Sequence, residues 1–160
     1  MITKKELNDL FVWAKNSQFV MKKGPTANGY SNKPILFCAI KSTINNLVIK
    51  RKLINDKKIE KIIENDDILF AMIVSLDPGT ELNPHRDPNI YKEPYKRIQI
   101  PLETPDPEFC YMIWRGKKVF WEENEPQILN VMDVIHEGYN YSNSPMSFLF
   151  IDVRKECELI

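Results

Sequence analysis

From Asp67 onward the chain breaks into short apolar runs separated by Pro and Gly, and this punctuation restricts the fold more than any other feature. Runs of strand length bounded by turn residues and rich in β-branched and aromatic side chains describe a β core. Residues 68–76 are almost continuously apolar, and Pro78-Gly79 supplies a turn. Arg97 and Gln99 alternate with Ile98 and Ile100, so two polar side chains face one way and two apolar ones the other. In a barrel with an interior site the polar pair faces inward; on an edge strand it faces solvent. Residues 109–114 and 117–121 flank Gly116 and read as a hairpin. Residues 126–130 lead into a strand ending at Ile135, and 147–153 close the sheet. Eight or so strands with supporting helices on one side predict a mainly β fold with a double-stranded β-helix (jelly-roll or cupin-like) core.

The first 66 residues read as a support layer of helix and loop, and residues 67–153 as the core, within one domain of 160 residues. Thr3 and Glu6 form a capping box, followed by Leu7, Leu10, Phe11 and Ala14 at helical spacing. Residues 22–30 carry the Gly, Pro and Asn of a connector, 35–40 are a short apolar strand, and a second helix is expected around 57–64. Twenty-two basic residues balance 22 acidic ones, so net charge gives no footprint for nucleic acid or an anionic membrane. Cys38, Cys110 and Cys157 are widely spaced and odd in number, which favours a reducing compartment over a disulfide scaffold. With no apolar leader segment and no run long enough to cross a bilayer, the expected location is cytoplasmic.

The chain has two histidines, His85 and His136. His85 stands in Asn83-Pro84-His85-Arg86-Asp87-Pro88, an H-x-D triplet, and His136 follows fifty-one residues later. Residues i and i+2 of an extended strand point to the same face, so an imidazole and a carboxylate at this spacing converge. A later single His then completes the 2-His-1-carboxylate set that holds Fe(II) with positions open for substrate and O2. Against this, a His beside a Pro-rich turn is as readily a surface or capping residue, and the H-x-D pattern alone is weak.

The surrounding text adds a family resemblance. Residues 75–87, Ser-Leu-Asp-Pro-Gly-Thr-Glu-Leu-Asn-Pro-His-Arg-Asp, resemble the entry to the site of the aspartyl/asparaginyl β-hydroxylase family of Fe(II)/2-oxoglutarate oxygenases. Residues 97–104 resemble that family's next strand, 131–136 with Asn140 its second-His strand, and 148–153 its closing strand. The likeness covers residues 72–153 and implies His85, Asp87 and His136 as catalytic metal ligands. It also implies Fe(II) as cofactor and 2-oxoglutarate as cosubstrate. O2 and a small-molecule, peptide or protein substrate are the expected partners. It implies Arg97 for the cosubstrate carboxylate, Gln99 as its neutral neighbour, and Trp121 as a core residue. Two positions depart from the family. Gln99 stands where the family has His, and Met146 stands where it has the Arg that pairs with the far carboxylate of 2-oxoglutarate. A thioether cannot make the bidentate contact that guanidinium gives a carboxylate.

The expected activity is therefore that of a dioxygenase, hydroxylating an amino-acid, peptide or protein side chain. Arg97 alone carries the cosubstrate, or another cation substitutes for Met146, or the cosubstrate is not 2-oxoglutarate. Two alternatives stay open: a cupin-type metalloenzyme with the same ligands but no 2-oxoglutarate, and a non-catalytic jelly-roll module that binds a small ligand. Retention of all three ligands argues against the module. Asn140 is read as shaping a turn.

Overall fold

A computed structural model describes residues 3–18, 22–23, 30–42, 56–87, 91, 94–122, 125–129 and 134–156. In chain order the elements are α1 (Lys4–Asn16), β1 (Lys22–Lys23), β2 (Leu36–Ser42), α2 (Lys57–Ile63), β3 (Ile68–Leu76), β4 (Thr80–His85), β5 (Tyr95–Glu103), β6 (Cys110–Trp114), β7 (Lys117–Val119), β8 (Gln127–Leu129), β9 (His136–Asn140) and β10 (Met146–Arg154). Two sheets form, ordered β1-β2-β3-β10-β5-β8 and β4-β9-β6-β7. From β3 onward the chain changes sheet at each step except the β6–β7 hairpin, and every strand pair is antiparallel. That interleaving is a double-stranded β-helix.

Strand alternation sorts the side chains into two layers. On one face of the larger sheet Ile73, Ile98, Ile100, Leu149 and Ile151 pack against Leu7, Leu10, Phe11 and Ala14 of α1 and Ile59, Ile62 and Ile63 of α2. The other face turns Val74, Leu76 and Phe148 towards Met112 of the smaller sheet. The helices start where their sequences dictate. Thr3 and Glu6 make a reciprocal capping box, and the Asp56 side chain accepts from the Lys58 and Ile59 backbone N–H groups at 2.8 and 3.3 Å. Arg115 and Gly116 both have positive φ, 52° and 74°, the requirement of a two-residue type I′ turn joining β6 to β7. The neighbouring Trp114–Lys117 pair closes that hairpin.

Residues 147–153 fall in the last strand, β10, which lies in the middle of the larger sheet, paired to β3 on one side and β5 on the other. One expectation is corrected: no strand ends at Ile135. Val134 lies in a bend, Ile135 lies outside any strand, and His136 opens β9, because the Val134 carbonyl turns to the His136 ring. Of the connector expected at 22–30, Lys22 and Lys23 form β1 paired to β2, and 24–29 lie outside the described residues, as do 131–133. Among the described residues, no helix is long and apolar enough to cross a membrane.

Leu149 is fully buried on the helix-facing side of β10. Leu149→Ala should lower unfolding free energy by about 2–5 kcal/mol in a urea titration. It should leave the ligand affinity of the remaining folded protein unchanged, since the lost packing lies behind the sheet.

Candidate metal centre

The two histidines face each other across a strand pair. His85 ends β4, His136 opens β9, and they are register partners in the smaller sheet, their ring centroids 4.3 Å apart. Asp87 lies two residues beyond His85, just past the end of the strand. Its Oδ1 sits 3.5 Å from His85 Nε2 and 3.7 Å from His136 Nε2. All three ligand atoms lie within 4.8 Å of one another.

The far side of each ring is fixed by the backbone. His85 Nδ1 donates to the Asn83 carbonyl at 2.6 Å, and His136 Nδ1 donates to the Val134 carbonyl at 3.0 Å. A carbonyl can only accept, so each Nδ1 carries the proton and each Nε2 lone pair is left facing Asp87. This is the outer-shell arrangement that orients an imidazole for a metal. Two imidazoles and one carboxylate are the donor set of Fe(II) and similar divalent ions, and these residues fit such an ion.

Arg97 supplies the remaining charge, in a different way from the expected one. Its Nε and Nη2 donate to the two oxygens of Asp152 at 2.7 and 2.9 Å, and Nη1 donates to Asp87 Oδ2. Asp152 is fully buried and is the register partner of Arg97 on β10. The Tyr91 hydroxyl donates to Asp152 Oδ2 at 2.9 Å, and the Phe150 ring lies 5.3 Å from the guanidinium. Arg97 therefore faces the site but is already held by two carboxylates. With Oδ2 engaged by Arg97, Asp87 presents Oδ1 to the histidines.

Burial opposes charge on all three candidate ligands, and the neighbours decide the outcome. At His85 burial is outweighed by the Asp87 carboxylate and the Asn83 carbonyl, so its pKa is raised. At His136 burial prevails and the pKa is lowered, which keeps the lone pair available at neutral pH. Burial pushes Asp87 up, but its contact with His85 and the Arg97 charge hold it below the usual carboxylate range. Burial, helped by the Asp152 charge, drives the Tyr91 phenol well above its ordinary pKa, so it stays a donor.

Beside the three ligands opens a cavity of about 340 Å³ between the sheets. Its walls include Met72, Val74, Leu76, Met112, Phe148 and Phe150, with Arg97, Gln99 and Glu137 as polar members. Gln99 is buried and accepts from Trp121 Nε1 at 3.3 Å, and Trp121 packs on Phe148 at 4.7 Å between centroids. Met146 is completely buried in the same wall. Asn140 is away from the ligands. It donates to Leu76 and Ser144 carbonyls and accepts from Ser142, so it shapes the turn into β10.

The model of the family described as aspartyl/asparaginyl beta-hydroxylase matches residues 44–156. The chain belongs to that family. Among solved structures it is similar to a protein described as a predicted oxalate decarboxylase from Thermotoga maritima, at 11% identity and a TM-score of 0.50, over 86% of this chain and 94% of that one. It is also similar to KdgF from Halomonas sp., at 14% identity and a TM-score of 0.45, over 86% and 90% of the two chains. At such identities the first of these likenesses speaks for the fold alone. No curated protein matches it. The hydroxylase family and the jelly-roll fold together make a hydroxylase or cupin-type enzyme the coarse assignment.

Asp152, Tyr91 and Glu137 were not singled out from sequence. Asp152 had a signal, one acid inside the apolar run 148–153. Tyr91 had none. Because a buried pair that loses one partner leaves an uncompensated charge, Asp152→Ala should destabilise the fold by about 3–5 kcal/mol. Tyr91→Phe, which removes one neutral donor, should cost about 1 kcal/mol. Chemical denaturation of the two variants checks the order, and equal costs would contradict the pairing.

Proposed function

We propose that this chain is an Fe(II)-dependent dioxygenase that hydroxylates an amino-acid, peptide or protein side chain, with 2-oxoglutarate as the cosubstrate its family implies. The observation that carries the reading is the convergence of His85 Nε2, His136 Nε2 and Asp87 Oδ1, with both Nδ1 atoms tied to backbone carbonyls. A ferrous ion held by these three groups supplies the activation of O2, coupled to oxidative decarboxylation of a 2-oxo acid. Catalytic standing is thus assigned to His85, Asp87 and His136.

The protein's own residues contribute orientation, charge and exclusion of water. His85 and His136 are held in one tautomer by Asn83 and Val134. Asp87 adds a negative charge that two imidazoles lack, and Arg97 fixes which of its oxygens is offered. The aromatic and Met-rich wall keeps the neighbouring cavity dry, which strengthens polar interactions made inside it. Gln99, with its oxygen occupied by Trp121, presents an amide N–H to a ligand. His85, Asp87 and His136 line that cavity together with its apolar wall, so a C–H bond is brought to them by packing rather than by charge. Cysteines that are widely spaced and odd in number favour a cytoplasmic setting, and a reducing one suits a ferrous ion.

A second reading is favoured by one specific observation. Met146 lines the wall where the family's cosubstrate-binding Arg would stand, and Arg97 is engaged by Asp152 and Asp87. The same three ligands would then serve a metalloenzyme that does not use 2-oxoglutarate. Anaerobic loading with Fe(II), followed by 2-oxoglutarate and O2, separates the two. Succinate release, lost in Asp87→Ala, is the expected result. A protein that binds Fe(II) but yields no succinate in the presence of any amino acid or peptide tested supports the second reading instead.

A further inference from the structure

The wall behind the three ligands has a chemistry of its own. Met72 of β3, Met112 of β6, Met146, Phe148 and Phe150 of β10 and Trp121 enclose it, an apolar surface drawn from both sheets. Among the described residues lining it, the one Lys or Arg is Arg97, and three of its nitrogens already donate to two carboxylates. Glu137 lies on the same strand edge, but alternation turns its carboxylate to the opposite face, where it accepts from the Tyr139 hydroxyl. The neutral Gln99 amide is the polar group nearest to a recognition element for the interior. A carboxylate entering here would lose its hydration and meet Asp87, with no free cation among the described lining residues to pair with. A branched aliphatic or aromatic group would lose only unfavourable contact with water.

We propose that this cavity receives an uncharged, apolar chain and rejects a second carboxylate. The inference rests on the three-ligand metal centre and takes the second reading above, in which 2-oxoglutarate is not the cosubstrate; it names the chemistry of what lies beside the metal instead. Two sources carry such a chain. One is the tail of a 2-oxo acid with a single carboxylate, whose oxo acid head would sit at the His85, Asp87 and His136 end. The other is the apolar side chain of the substrate to be hydroxylated. Either source explains Met146: in a wall that contacts an apolar chain, a thioether packs where a guanidinium would be buried without a partner.

Among the described residues Met72, Met112 and Met146 line the cavity, so their methyl groups report occupancy directly. The protein is labelled with 13C at the methionine methyl, and the signals are assigned by single Met→Leu changes. It is titrated with 4-methyl-2-oxopentanoate, 2-oxoglutarate and N-acetyl-leucine amide, each with and without Zn(II) as a diamagnetic stand-in for iron. The expected result is that 4-methyl-2-oxopentanoate shifts the Met72, Met112 and Met146 methyls at a concentration at least about tenfold below that needed with 2-oxoglutarate. Shifts of the same methyls by N-acetyl-leucine amide alone also support the proposal and identify the substrate as the source of the chain. Equal or tighter binding of 2-oxoglutarate overturns it, as does failure of both apolar probes to move these methyls. The metal reading is judged separately. If the apolar oxo acid binds identically with and without Zn(II), the metal centre fails while the cavity assignment stands. If 2-oxoglutarate prevails only with Zn(II), the reverse holds.

Discussion

Arg97 is the group on which the arrangement of the site depends. It reaches from the larger sheet, is clamped on its neighbour strand by Asp152, and extends Nη1 to Asp87 at the end of a strand of the smaller sheet. One guanidinium thus joins the two layers at the mouth of the barrel. Arginine suits this place better than lysine, because its planar fork satisfies a carboxylate at two points and still projects a third donor. Burial would depress an isolated cation. Here the hydrogen bonds and charge of Asp152 outweigh it and hold Arg97 firmly protonated. One positive charge against Asp152 and Asp87 leaves the cluster at minus one with both histidines neutral. A divalent cation between the ligands would reverse that sign, which gives the site a reason to hold metal beyond the count of its donors.

The support for this cluster comes from strand alternation. Along β5, Ile98 and Ile100 face the helices while Arg97 and Gln99 face the cavity; along β10, Leu149 and Ile151 face the helices while Phe148, Phe150 and Asp152 face the cavity. A one-residue slip between these strands would exchange the two sets. The register that pairs Arg97 with Asp152 is therefore enforced twice, by an apolar layer on one face and by an ion pair on the other. Gly138 has a related part in the smaller sheet. A methyl group there would come within 3.1 Å of the Leu82 side-chain tip, its register partner, so a side chain at this point would require Leu82 to shift by a few tenths of an ångström beside the strand carrying His85.

Much of this was legible in the sequence, and the gaps have physical causes. His85, Asp87 and His136 could be named because so few histidines exist and the H-x-D spacing follows from strand geometry. Alternation with Ile98 and Ile100 puts Arg97 and Gln99 on one face but leaves open whether that face is inward; the pairing of β5 between β10 and β8 decides it. The partner of Arg97 could not be read, because strand pairing joins residues 55 apart in the chain and no local pattern encodes that register. Asp152 gave a hint that went unused: an acid in the middle of an apolar strand requires a partner. His136 looked like the residue after a strand because Val134 and Ile135 are β-branched, yet a bend there lets the Val134 carbonyl hold the ring. A side chain folding back on its own backbone leaves no periodic trace.

His85, Asp87 and His136 are proposed as one ligand set, kept in shape by Asn83, Val134 and Arg97. Equilibrium dialysis against Fe(II) under anaerobic conditions decides this, with the wild-type chain beside folded His85→Ala, Asp87→Ala and His136→Ala variants. One tightly held ion per wild-type chain is expected, with loss of that ion in each variant, since two remaining ligands hold a labile divalent ion poorly. A wild-type protein that retains no ion, or a His136→Ala variant that retains it as tightly as the wild type, would overturn the assignment.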